Sequence, residues 1–260
     1  MKITTLLLLP LLFLACTGDP NKQMISSPEN ANTIMFELVD GVPTYSVMHG
    51  TTQVLNSSKM GFEFKNQPAM RSGFEIVNVE KTSFDETWEQ VWGEKRYIRN
   101  NYNQLSVTLQ EQEGEQRKIE IQFRAYDDGI ALRYVYPDQQ EDSLVIMNEL
   151  TTFNLADDGT AWWIGAYQDN RYEYLTTVSK VSELDTVVTP LTIKSDNGLS
   201  LSFHEANLVD FASMTLARTG NTELEADLVP WADGDRVKTD GSFTTPWRTL
   251  QIADEPGDLI

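Results

Sequence analysis

The sequence is short of the residues that build metal and redox chemistry. Among 260 residues there is one cysteine, Cys16, and there are two histidines, His49 and His204. A single cysteine excludes an internal disulfide and a cysteine-rich zinc site, and two histidines exclude a multi-histidine metal centre. Positive charge is scarce as well: 20 Lys and Arg stand against 39 Asp and Glu, a formal net charge of -19. Nucleic-acid binding needs clustered Lys and Arg against phosphate, so this balance argues against it, and it disfavours adhesion to anionic lipid head groups. The sequence contains no phosphate loop, dinucleotide glycine set, nucleophile elbow or His-Glu-x-x-His. Its Asp-rich segments lack the ligand spacing and closing Glu of a calcium-binding hand. The one long apolar run, residues 3–15, is too short for a transmembrane helix, which needs about 20 apolar residues.

That run has a different reading. Lys2 followed by Leu6 to Leu14, interrupted by Pro10, has the charge and length of an export signal covering residues 1–15. It ends in Leu14-Ala15-Cys16 followed by Thr17, Gly18, Asp19 and Pro20, which resembles a bacterial lipobox. Cys16 is then the expected site of lipidation, with residues 16–32, rich in Ser, Pro, Asn and Asp, as a tether. Acyl chains would anchor the protein without spanning the membrane. The expected location is therefore exported, in the periplasm or at the outer membrane, with membrane contact only through the lipid.

From residue 33 to residue 260 the dominant pattern has period two. Ile34, Phe36 and Leu38 alternate with Met35 and Glu37; Leu105, Val107 and Leu109 with Ser106 and Thr108; Ile119, Ile121 and Phe123 with Glu120, Gln122 and Arg124; and Leu199, Leu201 and Phe203 with Ser200, Ser202 and His204. Alternation sends one set to a core and the other outward. Asp40-Gly41, Glu113-Gly114, Asp127-Asp128-Gly129, Asp157-Asp158-Gly159 and Asn197-Gly198 punctuate these runs as hairpin turns. The expectation is all-β, with antiparallel sheet packed on antiparallel sheet. One stretch, residues 206–217, places Leu208, Phe211, Ala212 and Leu216 at helical spacing; a bend followed by a strand through Ser213 to Ala217 is the favoured reading.

Few residues present themselves as chemistry. Six tryptophans, at 88, 92, 162, 163, 231 and 247, are candidates for stacking on sugar rings or for filling the core. Adjacent Trp162 and Trp163 fall on opposite faces of a strand, so at most one of them belongs to the core. His204-Glu205 could act catalytically or fasten a bend, and Arg248 is expected to pair with a carboxylate or carbonyl. Tyr172-Glu173-Tyr174 sets a carboxylate between two aromatics. Glycoside hydrolysis needs two carboxyl groups at a set separation, and residue types alone do not select a pair.

A longer pattern narrows the field. Phe84-Asp85-Glu86-Thr87-Trp88-Glu89-Gln90-Val91-Trp92-Gly93-Glu94-Lys95, then Ile98-Arg99-Asn100-Asn101-Tyr102-Asn103, resembles the N-terminal domain of glycoside hydrolase family 97. Phe123-Arg124 with Asp128-Gly129, Arg133-Tyr134, Ala161-Trp162-Trp163-Ile164, His204-Glu205-Ala206 and Thr245-Pro246-Trp247-Arg248-Thr249 follow in the same order. The resemblance spans roughly residues 27–254. It implies an antiparallel β-super-sandwich similar to galactose-mutarotase-like folds, in a bacterial α-glucosidase or α-galactosidase acting on α-linked oligosaccharides. It further implies that the catalytic carboxylates belong to a (β/α)8 barrel, leaving no catalytic residue here. A calcium ion near the active site would take one glutamate from this domain, matched at Glu173, with Glu205 as the fallback. The sequence stops at Asp258-Leu259-Ile260, before any barrel, and is expected to be a truncated piece of the enzyme, inactive alone. The alternative is a stand-alone surface carbohydrate-binding lipoprotein. An aldose epimerase, suggested by fold analogy, lacks a visible acid–base set.

Overall fold

The computed structural model describes residues 19–139, 143–169 and 173–260. In chain order the strands are β1 (Lys22–Ser26), β2 (Asn32–Val39), β3 (Val42–His49), β4 (Thr52–Lys59), β5 (Phe62–Phe64), β6 (Phe74–Glu89) and β7 (Tyr97–Glu111). Then come β8 (Lys118–Tyr126), β9 (Gly129–Tyr136), β10 (Leu144–Glu149), β11 (Thr152–Asn154), β12 (Gly159–Trp163), β13 (Thr177–Lys180) and β14 (Val187–Val188). The last are β15 (Leu191–Ser195), β16 (Ser200–Ala206), β17 (Met214–Arg218), β18 (Glu223–Leu228), β19 (Val237–Thr239), β20 (Phe243–Thr244) and β21 (Trp247–Ala253). Only two short 3₁₀ turns interrupt the strands among the described residues.

One ten-stranded sheet runs β13-β12-β15-β16-β21-β9-β8-β7-β6, with β20 paired to β9. Its inner face meets three smaller sheets: β1-β2-β3-β4, β11-β18-β17-β14 and β19-β10-β5. Aromatic rings make the joints. Phe123 of β8 touches Phe36 and Tyr45 of the first small sheet at 6.0 and 5.8 Å. Phe203 of β16 meets Phe153 of the second edge-on at 5.3 Å, and Tyr134 of β9 meets Phe62 of the third at 4.7 Å. Tilted and edge-to-face contacts at these separations are the favoured ring geometries. The sequence pattern maps onto this arrangement. Ile34, Phe36, Leu105, Val107, Leu109, Ile119, Ile121, Phe123, Leu201 and Phe203 are all buried, while Gln122, Arg124 and His204 point the other way. The fold is the expected all-β antiparallel sandwich.

The turns follow their chemistry. Val39 pairs with Val42 across Asp40-Gly41, whose φ values of 50° and 76° are those of a type I′ hairpin. Gly129 opens β9 against Leu250, where an added Cβ would lie 2.4 Å from the Leu250 carbonyl oxygen. A side chain there would push β21 away, so that glycine is set by close approach of two backbones.

Two expectations are adjusted. Residues 16–32 do not all form a tether: β1 pairs along β2 from Lys22↔Glu37 to Ser26↔Thr33. Ser27 and Asn32 are buried. Asn32 Nδ2 donates to the carbonyls of Tyr126 and Asp127 at 2.9 and 3.1 Å. The polar composition thus marks a turn tied to the large sheet, with Asn30 at φ 61°. In residues 206–217 the strand reading holds, as β17. Asn207 and Asp210 adopt positive φ, 59° and 49°, which an α-helix cannot accommodate.

Candidate functional site

Three regions gather the residues that could act: a buried charge cluster, the outer face of the large sheet, and the segment carrying Glu173. The cluster lies where β21, β16 and β10 converge. Arg248 faces inward on β21 and is fully buried. Its Nε and one terminal nitrogen donate to both oxygens of Glu149 at 3.0 and 2.6 Å. Its other terminal nitrogen donates to Glu205 at 2.6 Å. Glu205 faces Arg248 directly in the β16–β21 register and also accepts from the Met214 backbone N–H at 3.1 and 3.2 Å. Burial pushes the Glu205 carboxyl above the ordinary range, against the pull of Arg248. Burial alone would lower the Arg248 guanidinium, but Glu149 and Glu205 hold it above its usual value.

Thr151 Oγ1 donates to Glu149 at 2.9 Å and shares a 2.7 Å hydrogen bond with the Tyr134 hydroxyl. Tyr45 donates to the Thr152 carbonyl at 2.9 Å. Among the described residues no buried side-chain polar atom lacks a partner. Glu205 thus fastens Arg248, while His204 points to the opposite face. Glu149 was invisible in the sequence, because Asn148-Glu149-Leu150 carries no motif.

The buried phenols carry a pH consequence. Burial, then the neighbouring tyrosine and Glu149, raise Tyr45 well above a free phenol; burial, then Glu149, raise Tyr134 likewise. A raised folded-state value stabilises the fold below the unfolded value of about 10, and that contribution is lost as pH rises beyond it. Of the nine tyrosines, these two are expected to stay protonated until the chain unfolds. Tyrosinate absorbance followed beside circular dichroism checks this. Complete, reversible ionisation with the strand signal intact would contradict it.

The outer face of the large sheet carries a stack of rings and guanidinium groups that crosses its strands. Phe84 of β6 stacks on Tyr102 of β7 at 5.3 Å and 24°. Arg124 of β8 lies 4.1 Å from the Tyr102 ring and 4.2 Å from that of Trp247 on β21, and Arg133 of β9 lies 4.3 Å from Trp247. Burial, then repulsion from Arg124, lower the Arg133 guanidinium below its usual value. Period-two alternation could have revealed both arginines, since each sits opposite a core residue on its own strand. Beside the stack an open cleft of about 470 Å³ is lined by Arg99, Arg124, Tyr126, Asp128, His204 and Trp247, among others.

Beyond this face β6 and β7 run on as a two-stranded ribbon. β8 pairs only with Asn103 to Gln110 of β7, so among the described residues Tyr97 to Tyr102 pair with β6 alone. Every residue from Glu80 to Glu89 is exposed, and around the tip Trp88, Val91, Trp92 and Tyr97 are bare, Val91 at 97% and Trp92 at 88%. Arg99 pairs with both oxygens of Asp85 at 2.8 Å, and Arg96 with Glu89 at 2.8 Å. Exposed pairs of this kind add little stability each.

Glu173 is exposed between β12 and β13, with Tyr174 half-exposed beside it. Tyr172 and Cys16 lie outside the described residues. Among the described residues no group of three or more His, Cys, Asp or Glu could hold a metal ion. Glu173 offers one exposed carboxylate, and that of Glu205 is committed to Arg248. Trp162 is exposed on the outer face and Trp163 packs toward the core, donating from Nε1 to Ser179 at 3.1 Å. No helix among the described residues is long and apolar enough to cross a membrane.

Comparison with known proteins adds a length and a lineage. The sequence profile of the family described as Glycosyl-hydrolase 97 N-terminal matches residues 25–260. A probable retaining alpha-galactosidase of Streptomyces bingchenggensis is 26% identical over 231 residues, 85% of this chain and 33% of its own. A retaining alpha-galactosidase of Bacteroides thetaiotaomicron is 23% identical over 245 residues, 89% of this chain and 36% of its own. The structure of a glycoside hydrolase family 97 enzyme from Pseudoalteromonas sp. strain K8, in complex with acarbose, superposes with a TM-score of 0.88 at 35% identity. That match covers 91% of this chain and 36% of the other. The chain thus spans about a third of the length of these relatives.

Proposed function

Since the chain belongs to glycoside hydrolase family 97, as its N-terminal domain, we propose that it serves as the support module of an exported α-glycosidase and performs no catalysis alone. One observation carries this reading: the ribbon of β6 and β7 leaves its third neighbour at Asn103 and holds bare apolar side chains at its tip. Two-stranded ribbons are marginal in water, and contiguous exposed apolar groups mark surfaces made to be covered. A further domain, in the part of the relatives beyond the matched third, is the natural cover. Trp88, Val91, Trp92 and Tyr97 would pack into it, and the neighbouring outer face would border the sugar-binding cleft.

Within this reading Glu173 lends a single carboxylate to a calcium ion whose other ligands lie outside the described residues. Bound calcium would supply positive charge beside the sugar, and Glu173's part is to orient one oxygen toward it. The substrate is an α-linked oligosaccharide. Lipidation at Cys16, after removal of residues 1–15, would hold the enzyme at the periplasmic side or outer membrane.

The uncovered ribbon gives the reading a direct test. The chain is expected to self-associate as its concentration rises, and Val91→Lys with Trp92→Lys to shift it to monomer without changing its circular dichroism. Sedimentation velocity reads both. A wild-type chain that stays monomeric throughout would count against a face built for a partner.

A further inference from the structure

The stack on the outer face has an electrostatic peculiarity. With 39 acidic residues against 20 basic ones, nearly every cation could find a carboxylate. Arg124 and Arg133 are only part-exposed, yet neither has one within 4.0 Å among the described residues. Each is oriented by a neutral amide instead. Arg124 Nε donates to Gln104 Oε1 at 2.9 Å, and Arg133 Nε donates to Gln122 Oε1 at 2.8 Å.

A glutamine fixes the plane of a guanidinium without cancelling its charge. Glu120 is near enough to be felt by Arg133, but it accepts a hydrogen bond from Gln122 at 2.6 Å rather than pairing with the arginine. Asp128 lines the same cleft and forms no ion pair with Arg124. The Tyr126 hydroxyl lies near enough to Arg124 to feel its charge. Arg124 packs on the Tyr102 and Trp247 rings and Arg133 on Trp247; a ring contact of this kind uses the face of a guanidinium and none of its N–H donors. Two like charges held together and partly desolvated are costly unless an anion joins them.

We infer that the patch formed by Arg124, Trp247 and Arg133 is a binding site for a carboxylate, carried by a small organic acid or by an acidic sugar of the uronate class. A carboxylate matches the planar fork of arginine, and charge-assisted hydrogen bonds to it are the strong ones. The open cleft beside Arg124 admits a ligand of monosaccharide size. This assignment does not depend on the support-module reading, because it concerns a small ligand on the isolated chain.

Calorimetric titration of the chain with acetate, galacturonate and neutral galactose tests it. Acetate and galacturonate are expected to bind saturably, more weakly as salt is raised, and galactose is expected not to bind. Galacturonate tighter than acetate assigns the sugar acid, whereas equal affinities assign a simple carboxylate. Arg124→Gln and Arg133→Gln should each weaken binding about tenfold or more. Arg124→Lys, which keeps the charge without the fork, should fall between them and wild type. Absence of saturable binding by either acid overturns the inference. So does galactose binding as well as galacturonate, or unchanged affinity in Gln variants that retain the wild-type circular dichroism spectrum.

Discussion

Arg248→Met is expected to remove about 3–5 kcal/mol of folding stability, because it leaves two buried carboxylates without their shared cation. Glu149 accepts from two Arg248 nitrogens and Glu205 from the third, and the Arg248 and Glu149 side chains are fully buried. A loss of that size is a large fraction of the stability of an ordinary domain, about 5–15 kcal/mol. Urea unfolding monitored by tryptophan fluorescence measures it. Removing the acids as well, in Arg248→Met with Glu149→Leu and Glu205→Leu, is expected to recover much of the loss, since an apolar triad of similar volume avoids the desolvation of three charges. Recovery should stop short of wild type, because Thr151 Oγ1 and the Met214 N–H lose their acceptors. A single Arg248→Met variant within about 1 kcal/mol of wild type would show that the cluster does not hold the sheets together.

Phe123→Ala is expected to cost about 3–5 kcal/mol by a different route. Phe123 is the inward residue of β8 on which Phe36 and Tyr45 both rest. Truncation would leave a cavity at the joint between the ten-stranded sheet and the sheet of β1 to β4. Hydrogen exchange should then rise first in residues 32–49, beside a lowered denaturation midpoint. If exchange rose evenly across the molecule, the joint would not be the local weak point this packing implies.

The joints and the pattern around them differ in how much of them the sequence disclosed. Phe123 was readable, because Ile119, Ile121 and Phe123 alternate with polar residues and period two assigns a face. Glu149 and Glu205 were not readable as partners of Arg248, since the three meet through sheet order: β21 lies between β16 and β9, and β10 belongs to another sheet. Arg248 was expected to pair with a carboxylate or carbonyl and finds two carboxylates. Arg124 and Arg133 stood in the resembling motifs without a role, because their stacking on Trp247 requires the β8–β9 and β9–β21 registers. β1 was hidden by composition, as its polar flanks read as a tether. The ribbon lay in the sequence only as the resembling motif from Phe84 to Asn103, with no strand pattern read into it. Its exposure arises only because β8 ends its pairing at Asn103, and strand length does not state where a neighbour stops.

The central claim is that these residues support catalysis without performing it. The most direct measurement is turnover of nitrophenyl α-glucoside and nitrophenyl α-galactoside by the purified chain, with and without added calcium. No turnover above buffer is expected under either condition. Turnover that persists through repurification and disappears with a single substitution in this chain, such as Glu173→Gln in a variant of unchanged stability, would contradict the account.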